Sequence, residues 1–155
     1  MEATPHKKHV IIYTFIKTIK TMEEKSWVYY GIFFSDDTKK SLIEDARRMG
    51  YIPQGWKIYC DHMTIIFNDH SGKQNISHLE ESLGKKVTLI IDSIGISDRA
   101  FAFGVANYKT SNRQSHITIA IVPEGKPVES NNIQKWVHFH PFTIEGTLDV
   151  IRPRV

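Results

Sequence analysis

The stretch DHMTIIFND, residues 61–69, decides the fold because it recurs in altered form as SHITIAIVP at residues 115–123. Each copy carries the triplet His-x-Thr followed by a mostly apolar run, which is typical of a β-strand. In a strand, residues i and i+2 point to the same face, so each copy directs one imidazole and one hydroxyl the same way. Two such strands facing one another would form a single site. Its four side chains would be His62, Thr64, His116 and Thr118.

The repetition of the triplet is more informative than the triplet itself. A chain with 8 His and 11 Thr contains about half a His-x-Thr triplet by chance, so one copy would mean little. Two copies, each at the start of a strand-like run, are much less expected. A purely structural explanation must also satisfy the polar groups that both triplets would bury. The pair therefore indicates a functional site.

The segments around the motifs include predicted helices. A helix is predicted over 35–50, because acidic residues stand near its front, basic residues near its back, and Gly50 at its end. A second helix is predicted over 76–85. A short helix, opened by Ser130 or Asn131, follows the second motif. All three would lie at the periphery of the strands.

Strands are predicted where aromatic and β-branched residues are enriched. They are 27–34, 57–67, 85–97, 99–108, 116–122 and 142–151, and the segment 7–20 fits either a strand or the start of a helix. The third and fourth of these strands would form a hairpin. This order favours an α+β domain with two small, mostly antiparallel sheets and peripheral helices.

Length and composition predict one soluble domain over 1–155, with residues 1–25 as an N-terminal extension. The net charge of +3 is compatible with a nucleotide partner but too small for a protein that wraps duplex DNA. The sequence contains no run of the roughly 18 to 20 apolar residues that a membrane span requires. A single cysteine, Cys60, excludes an internal disulfide framework and favours a reducing, cytoplasmic location.

The paired triplets suit phosphodiester cleavage without a metal. One imidazole can remove a proton from the attacking oxygen while the other gives a proton to the departing oxygen. Histidine suits both tasks because its ordinary pKa lies near physiological pH. Threonine hydroxyls can donate hydrogen bonds to the non-bridging oxygens of the phosphate. Which imidazole is the acid and which is the base stays open.

The two triplets resemble the motifs of the 2H phosphoesterase superfamily, which includes LigT-like RNA phosphodiesterases and the cyclic phosphodiesterases associated with RNA ligases. The resemblance covers residues 27–151, and 115–136 is also similar to the segment that follows the second motif in ligase-associated members. One departure is that His62 and His116 lie only 54 residues apart, which is short beside many larger members. Substrate contacts that larger members carry on insertions are therefore in doubt.

The resemblance implies a bilobal fold with two mostly antiparallel sheets, a central cleft, and no metal or cofactor. Members open 2′,3′-cyclic phosphates or cut 2′-5′ linkages, including those of 2-5A and cyclic GMP-AMP. Because the chain has no attached ligase or kinase and no long basic stripe, a small 2′-5′-containing signalling nucleotide is the preferred substrate. With such a substrate the protein would act in immune evasion if it is viral, since small viral members destroy cyclic dinucleotides. The alternatives are a 2′,3′-cyclic phosphate at an RNA end and a non-catalytic RNA- or nucleotide-binding module.

Five further residues are candidates for substrate binding. Tyr108 precedes the second motif and could stack on a base, while Lys109 or Arg113 meets a phosphate. The alternative is an ordinary solvated loop. Neighbouring tyrosines point to opposite faces of the first strand, and Tyr30 is the one expected in the cleft. Trp56 could stack on a base or pack in the core.

Two other chemistries have weaker support in the sequence. Cys60 would share a strand face with His62, but neighbours on one face point side by side and not at each other. The histidines of VHFH, His138 and His140, could bind zinc if the segment is extended, with Glu145 as the nearest carboxylate.

Overall fold

A computed structural model describes residues 26–50 and 52–154 of the chain. The elements in chain order are β1 (Tyr29–Phe33), α1 (Asp36–Arg48), β2 (Lys57–Ile58), β3 (His62–Phe67), α2 (Ser77–Glu81), β4 (Lys86–Ile96), β5 (Ala100–Val105), β6 (His116–Ile121), a 3₁₀ helix (Pro127–Asn132) and β7 (Lys135–Ile151). The predicted element at 7–20 and the predicted extension 1–25 lie outside the described residues.

Helix α1 forms where its end signals predicted it. The Ser35 side chain caps the first turn by accepting a hydrogen bond from the Thr38 backbone N–H at 3.2 Å. Beyond the last turn, Gly50 has φ +72°, a conformation that glycine adopts without steric cost. Leu42 and Ala46 are the buried residues through which the helix packs on the sheet.

Within the described residues the seven strands form one antiparallel sheet in the order β2-β6-β5-β4-β7-β1-β3. The fold is therefore α+β as predicted, but the strands are joined in one sheet and not divided into two. The sheet is continuous because β4 and β7 are long strands that pair with each other along two successive stretches. Residues 86–91 pair with 142–147, and after a register shift 93–96 pair with 135–138. The predicted hairpin of β4 and β5 is confirmed.

The sheet curls because one segment of the chain, 57–67, supplies both of its edge strands. Its start pairs with β6 as β2, and its end pairs with β1 as β3. Between them Cys60 has φ +63°, in the left-handed region that a side chain rarely adopts. The prediction of one continuous strand over 57–67 was wrong for this reason, and so was a shared strand face for Cys60 and His62. The turn at Cys60 brings β3 and β6 close together.

The core lies on the faces of β3 and β6 that point away from the motif side chains. Met63 and Ile65 on β3, and Ile117 and Ile119 on β6, are all buried. This alternation is the period of two that the motif strands predicted. No helix within residues 26–50 and 52–154 is long and apolar enough to cross a membrane.

Gly31 of β1 allows the first motif strand to pack closely, and replacing it with Ala should destabilise the protein. A Cβ at this position would lie 2.9 Å from the Met63 carbonyl oxygen. Overpacking against backbone costs about 1–3 kcal/mol, which exceeds the roughly 0.5–1 kcal/mol that Ala usually gains over Gly in a strand. We expect a net loss on the order of 1 kcal/mol in the free energy of unfolding, measured by urea denaturation. The exposed substitution Val28→Ala is the control, and an unchanged midpoint for Gly31→Ala would contradict the close contact.

Candidate active site

The two motifs meet in one pocket. His62 and Thr64 of β3, and His116 and Thr118 of β6, all line a cavity of about 670 Å³. Hydrogen bonds join the backbone around the two strands: Cys60 N–H donates to the Thr118 carbonyl at 2.9 Å, and Ser111 N–H to the Ile65 carbonyl at 2.8 Å. Side chains that are far apart in sequence are therefore held against the same space.

The imidazole of His62 is held through both ring nitrogens. Nδ1 lies 3.0 Å from Oδ1 of Asp61, and Nε2 lies 3.2 Å from Oγ1 of Thr64. Because a carboxylate only accepts hydrogen bonds, Nδ1 is the protonated nitrogen. The pKa of Asp61 is lowered, first by its hydrogen bond to His62. Nε2 is therefore the ring nitrogen available for chemistry, beside the hydroxyl of its own motif.

The imidazole of His116 stands in a different environment. It is only 7% exposed, and its Nδ1 donates to the Gln114 backbone carbonyl at 2.7 Å. Burial lowers the pKa of His116, and the hydrogen bond to the Gln114 carbonyl opposes this only in part. At neutral pH the ring is therefore neutral, with a lone pair on Nε2.

The hydroxyl of Thr118 is also positioned by a neighbour. Its Oγ1 donates to Oγ of Ser130 at 2.9 Å, and Ser130 is buried. Ser130 belongs to the 3₁₀ helix, which begins at Pro127 and not at Ser130 or Asn131 as predicted. It begins there because proline suits the first helical position and the Glu129 side chain accepts the Lys126 backbone N–H at 3.0 Å.

One wall of the pocket is aromatic. The rings of Tyr29 and Phe33 both lie 5.3 Å from the His62 ring, and Tyr29 lies 4.9 Å from Phe67. Phe67 is 54% exposed, and Val128 in the pocket lining is 58% exposed. Exposed apolar side chains that lie together in a pocket are typical of ligand sites, and the ring of Phe67 offers a flat surface to a ligand.

A second wall carries positive charge. The exposed Lys126 lines the pocket just before the 3₁₀ helix. This segment is tied to the β4–β5 turn, because Arg99 donates to the Glu129 carboxylate and forms a further ion pair with Glu124 at 3.5 Å. The Asp61 carboxylate lines the same pocket, so Lys126 supplies the positive charge that an anionic group of a ligand could meet.

The predicted substrate-binding residues lie outside this pocket. Tyr30 is fully buried and donates to Glu80, because its side chain points to the core face of β1, so Tyr29 is the tyrosine that lines the pocket. Trp56 stacks on Phe101 with ring centroids 5.2 Å apart and packs against the core.

The loop residues line a neighbouring depression instead. Tyr108, Lys109 and Arg113 surround a shallow space of about 470 Å³, which shares only Asn112 with the motif pocket. The phenol of Tyr108 is half-buried and packs against the core. The structure therefore does not bring these three side chains to the motif residues.

Sequence reasoning overlooked several residues of the pocket. Asp61 immediately precedes the first motif, and this adjacency was a signal that could have been used. Alternation along β3 would place Phe67 on the core face with Met63 and Ile65, so its exposure could not be counted from the sequence. The pairing of β1 with β3 shifts register between Tyr30 and Gly31, and Phe67 lies beyond that shift. Lys126 and Ser130 carry no local signal, because only the return of the 3₁₀ helix to β6 places them there.

The geometry gives little support to a cysteine nucleophile or to a zinc site. Burial, together with the charge of Asp61, raises the pKa of the Cys60 thiol to about 12, so the thiolate nucleophile is absent at neutral pH. His138 and His140 are exposed on β7, and the nearest carboxylate oxygen to His138, from Asp92, is 3.8 Å away. In the part of the chain that the structure describes, no three His, Cys, Asp or Glu side chains are grouped to hold a metal.

The pocket contains two imidazoles with different partners, two hydroxyls, one carboxylate, one lysine and an aromatic wall. Such a set can transfer protons to and from an anionic ligand and donate hydrogen bonds to it. A scan against protein-family models and a search of curated proteins each found no match to this chain.

Proposed function

We propose that this chain is a 2H-type phosphodiesterase that cleaves a nucleotide phosphodiester at a 2′-oxygen without a metal ion. The observation that carries the proposal is the convergence of His62, Thr64, His116 and Thr118 on one pocket. Two general acid–base groups on a phosphate, with hydroxyl donors to its non-bridging oxygens, are sufficient for in-line transfer. A cytoplasmic location would suit this role, and the single cysteine is in keeping with it.

The preferred substrate is a small 2′-5′-containing signalling nucleotide such as cyclic GMP-AMP or 2-5A. A cavity of about 670 Å³ is of the size that encloses a small ligand. The aromatic wall suits a nucleobase, and Lys126 suits a phosphate. Within residues 26–50 and 52–154 the pocket opens beside no long row of cations that would track a polynucleotide. If the protein is viral, this activity would remove an immune signal.

A substrate panel tests the proposal. Purified protein is incubated with 2′,3′-cyclic mononucleotides, 2-5A, and cyclic dinucleotides with mixed or all-3′-5′ linkages, in the presence of EDTA, and the products are identified by mass. We expect cleavage of compounds with a 2′-5′ linkage. Opening of 2′,3′-cyclic phosphates alone would favour an RNA-end function in the same reaction class.

Three outcomes would contradict the proposal. Cleavage of the all-3′-5′ compound alone would overturn the linkage preference. Loss of activity in EDTA, restored by zinc, would move the chemistry to a metal site. Binding without turnover of any compound would make the chain a nucleotide-binding module.

The aromatic wall gives a further prediction for substrate binding. Replacing Phe67 with Ala removes an exposed ring, and stacking of a base on an aromatic side chain contributes about 1–3 kcal/mol. We therefore expect KM for a nucleotide substrate to rise on the order of tenfold while kcat changes little. The control is Val137→Ala, since Val137 is an exposed apolar side chain that does not line the pocket. An unchanged KM would mean that no base stacks on Phe67.

A further inference from the structure

We propose that Asp61 is a positioning residue that fixes His62 as the proton donor of the reaction and leaves His116 as the base. This inference rests on the proposed function and deepens it. It makes the two His-x-Thr motifs unequal, although their sequences are nearly the same. The difference comes from what each imidazole contacts through its Nδ1 atom.

His62 is the histidine with a charged partner. Its Nδ1 contacts the Asp61 carboxylate at 3.0 Å, and a hydrogen bond between an imidazolium and a carboxylate is charge-assisted. The same hydrogen bond lowers the pKa of Asp61, so the carboxylate keeps its charge at neutral pH. Asp61 therefore stabilises the protonated ring and fixes the orientation that turns Nε2 towards Thr64 and the pocket. The carboxylate thus provides a counter-charge for the imidazolium form, which is the form with an Nε2 hydrogen to give.

His116 has a neutral partner instead. Its Nδ1 contacts the backbone carbonyl of Gln114 at 2.7 Å. A carbonyl orients the ring without supplying a full negative charge. Burial in addition disfavours the charged ring and lowers the pKa of His116. At neutral pH this imidazole therefore keeps a free lone pair on Nε2, which is the requirement for a base.

Other charged and titratable groups face Asp61 from the elements around it. Lys39 of α1 opposes the negative charge, and the Cys60 thiol stands beside it in the chain. On β1, Tyr29 has a raised pKa, first through burial and then through the charge of Asp61. None of these groups carries a charge that would replace the carboxylate beside His62, because Tyr29 and Cys60 are neutral at pH 7 and Lys39 is a cation.

At a 2′-5′ linkage, one bond to phosphorus forms, another breaks, and two protons move. His116 Nε2 takes the proton of the substrate's 3′-hydroxyl as that oxygen bonds to phosphorus. The bond from phosphorus to the departing 5′-oxygen breaks, and this oxygen receives the proton from His62 Nε2. The products are a 2′,3′-cyclic phosphate and a free 5′-hydroxyl. His116 then loses a proton to water and His62 regains one, so no oxidant, metal or cofactor enters the balance.

The experiment compares Asp61→Asn with the unsubstituted chain. The amide still accepts a hydrogen bond from Nδ1 but no longer supplies a negative charge. We expect kcat at pH 7 to fall on the order of 10- to 100-fold, as for other partners that orient a catalytic group. In the bell-shaped profile of kcat/KM against pH, the alkaline limb should move to lower pH, because the donor now loses its proton more readily. The acid limb, set by His116, should stay where it was.

Asp92→Asn is the matched control, since Asp92 is a carboxylate near the exposed His138, away from the pocket. It should change neither kcat nor the profile. A loss of activity in Asp61→Asn with both limbs unmoved would overturn the inference in favour of a purely structural role. A shift of the acid limb instead would overturn it by reversing the two roles.

An NMR comparison separates this inference from the proposed function, because it needs no substrate. The ring ¹⁵N resonances of the histidines are compared between Asp61→Asn and the unsubstituted chain in the free protein. We expect the Nδ1 resonance of His62 to differ, because the acceptor of its hydrogen changes from a carboxylate to an amide, with His116 unchanged. Identical spectra would overturn the inference even if phosphodiesterase activity is found. The expected difference would support the effect of Asp61 even if every compound in the panel is left intact.

Discussion

Replacing His116 with Ala is expected to lower kcat by about 10²- to 10⁴-fold, the usual contribution of a general acid or base. In the proposed reaction the buried imidazole of His116 accepts the proton of the attacking oxygen, and Ala has no group that can take its place. Binding of the nucleotide should change much less, because the aromatic wall and Lys126 remain. Single-turnover rates and an independent binding measurement separate the two effects.

The controls for this experiment come from the same chain. His138→Ala removes an exposed histidine outside the pocket and should leave kcat unchanged. The double variant His62→Ala, His116→Ala should be little slower than either single variant, because groups that act as a unit are not additive. If His116→Ala retains activity within a few-fold of the unsubstituted chain, the pocket is not the catalytic centre.

The arrangement of the motif strands was predictable because it depends on a local rule. Side chains alternate along a strand, so His62 and Thr64 had to share a face that Met63 does not. Helix α1 was predictable for a similar reason, since its cap and the glycine beyond it are neighbours in sequence. Local chemistry also predicted the α+β class and the hairpin of β4 and β5.

What the sequence did not reveal depends on contacts between distant segments. The left-handed turn at Cys60, a residue with a side chain, has no sequence signature, yet it sends one segment to both edges of the sheet. Alternation showed that Tyr29 and Tyr30 face opposite ways but not which one faces the core, because that depends on which face of β1 the distant core residues cover. The single sheet likewise arises from the length of β4 and β7, which pair at both of their ends.

Replacing Thr118 with Val is expected to lower kcat by about 10²- to 10³-fold, as for the loss of one hydrogen-bond donor to an oxyanion. Valine keeps the shape of threonine, so the strand should still form, but the buried Ser130 hydroxyl loses its donor at a cost of about 1–3 kcal/mol in the free energy of unfolding. Thr118→Ser restores the hydroxyl and should recover most of the rate. Thr143→Val, on the exposed part of β7, is the control for the same exchange outside the pocket.

The hydrogen bond from Thr118 to Ser130 explains why this hydroxyl should contribute strongly to catalysis although it is only partly exposed. Without substrate it donates to Ser130 at 2.9 Å, so the Thr118 hydroxyl is not left as an unsatisfied donor. When a phosphate oxygen arrives, the hydroxyl can turn to donate to it, and Ser130 can then donate to Thr118. Ser130→Ala should therefore weaken catalysis less than Thr118→Val, because it removes the orientation but keeps the donor. Equal losses in the two variants would mean that Thr118 serves only to hold the 3₁₀ helix against β6.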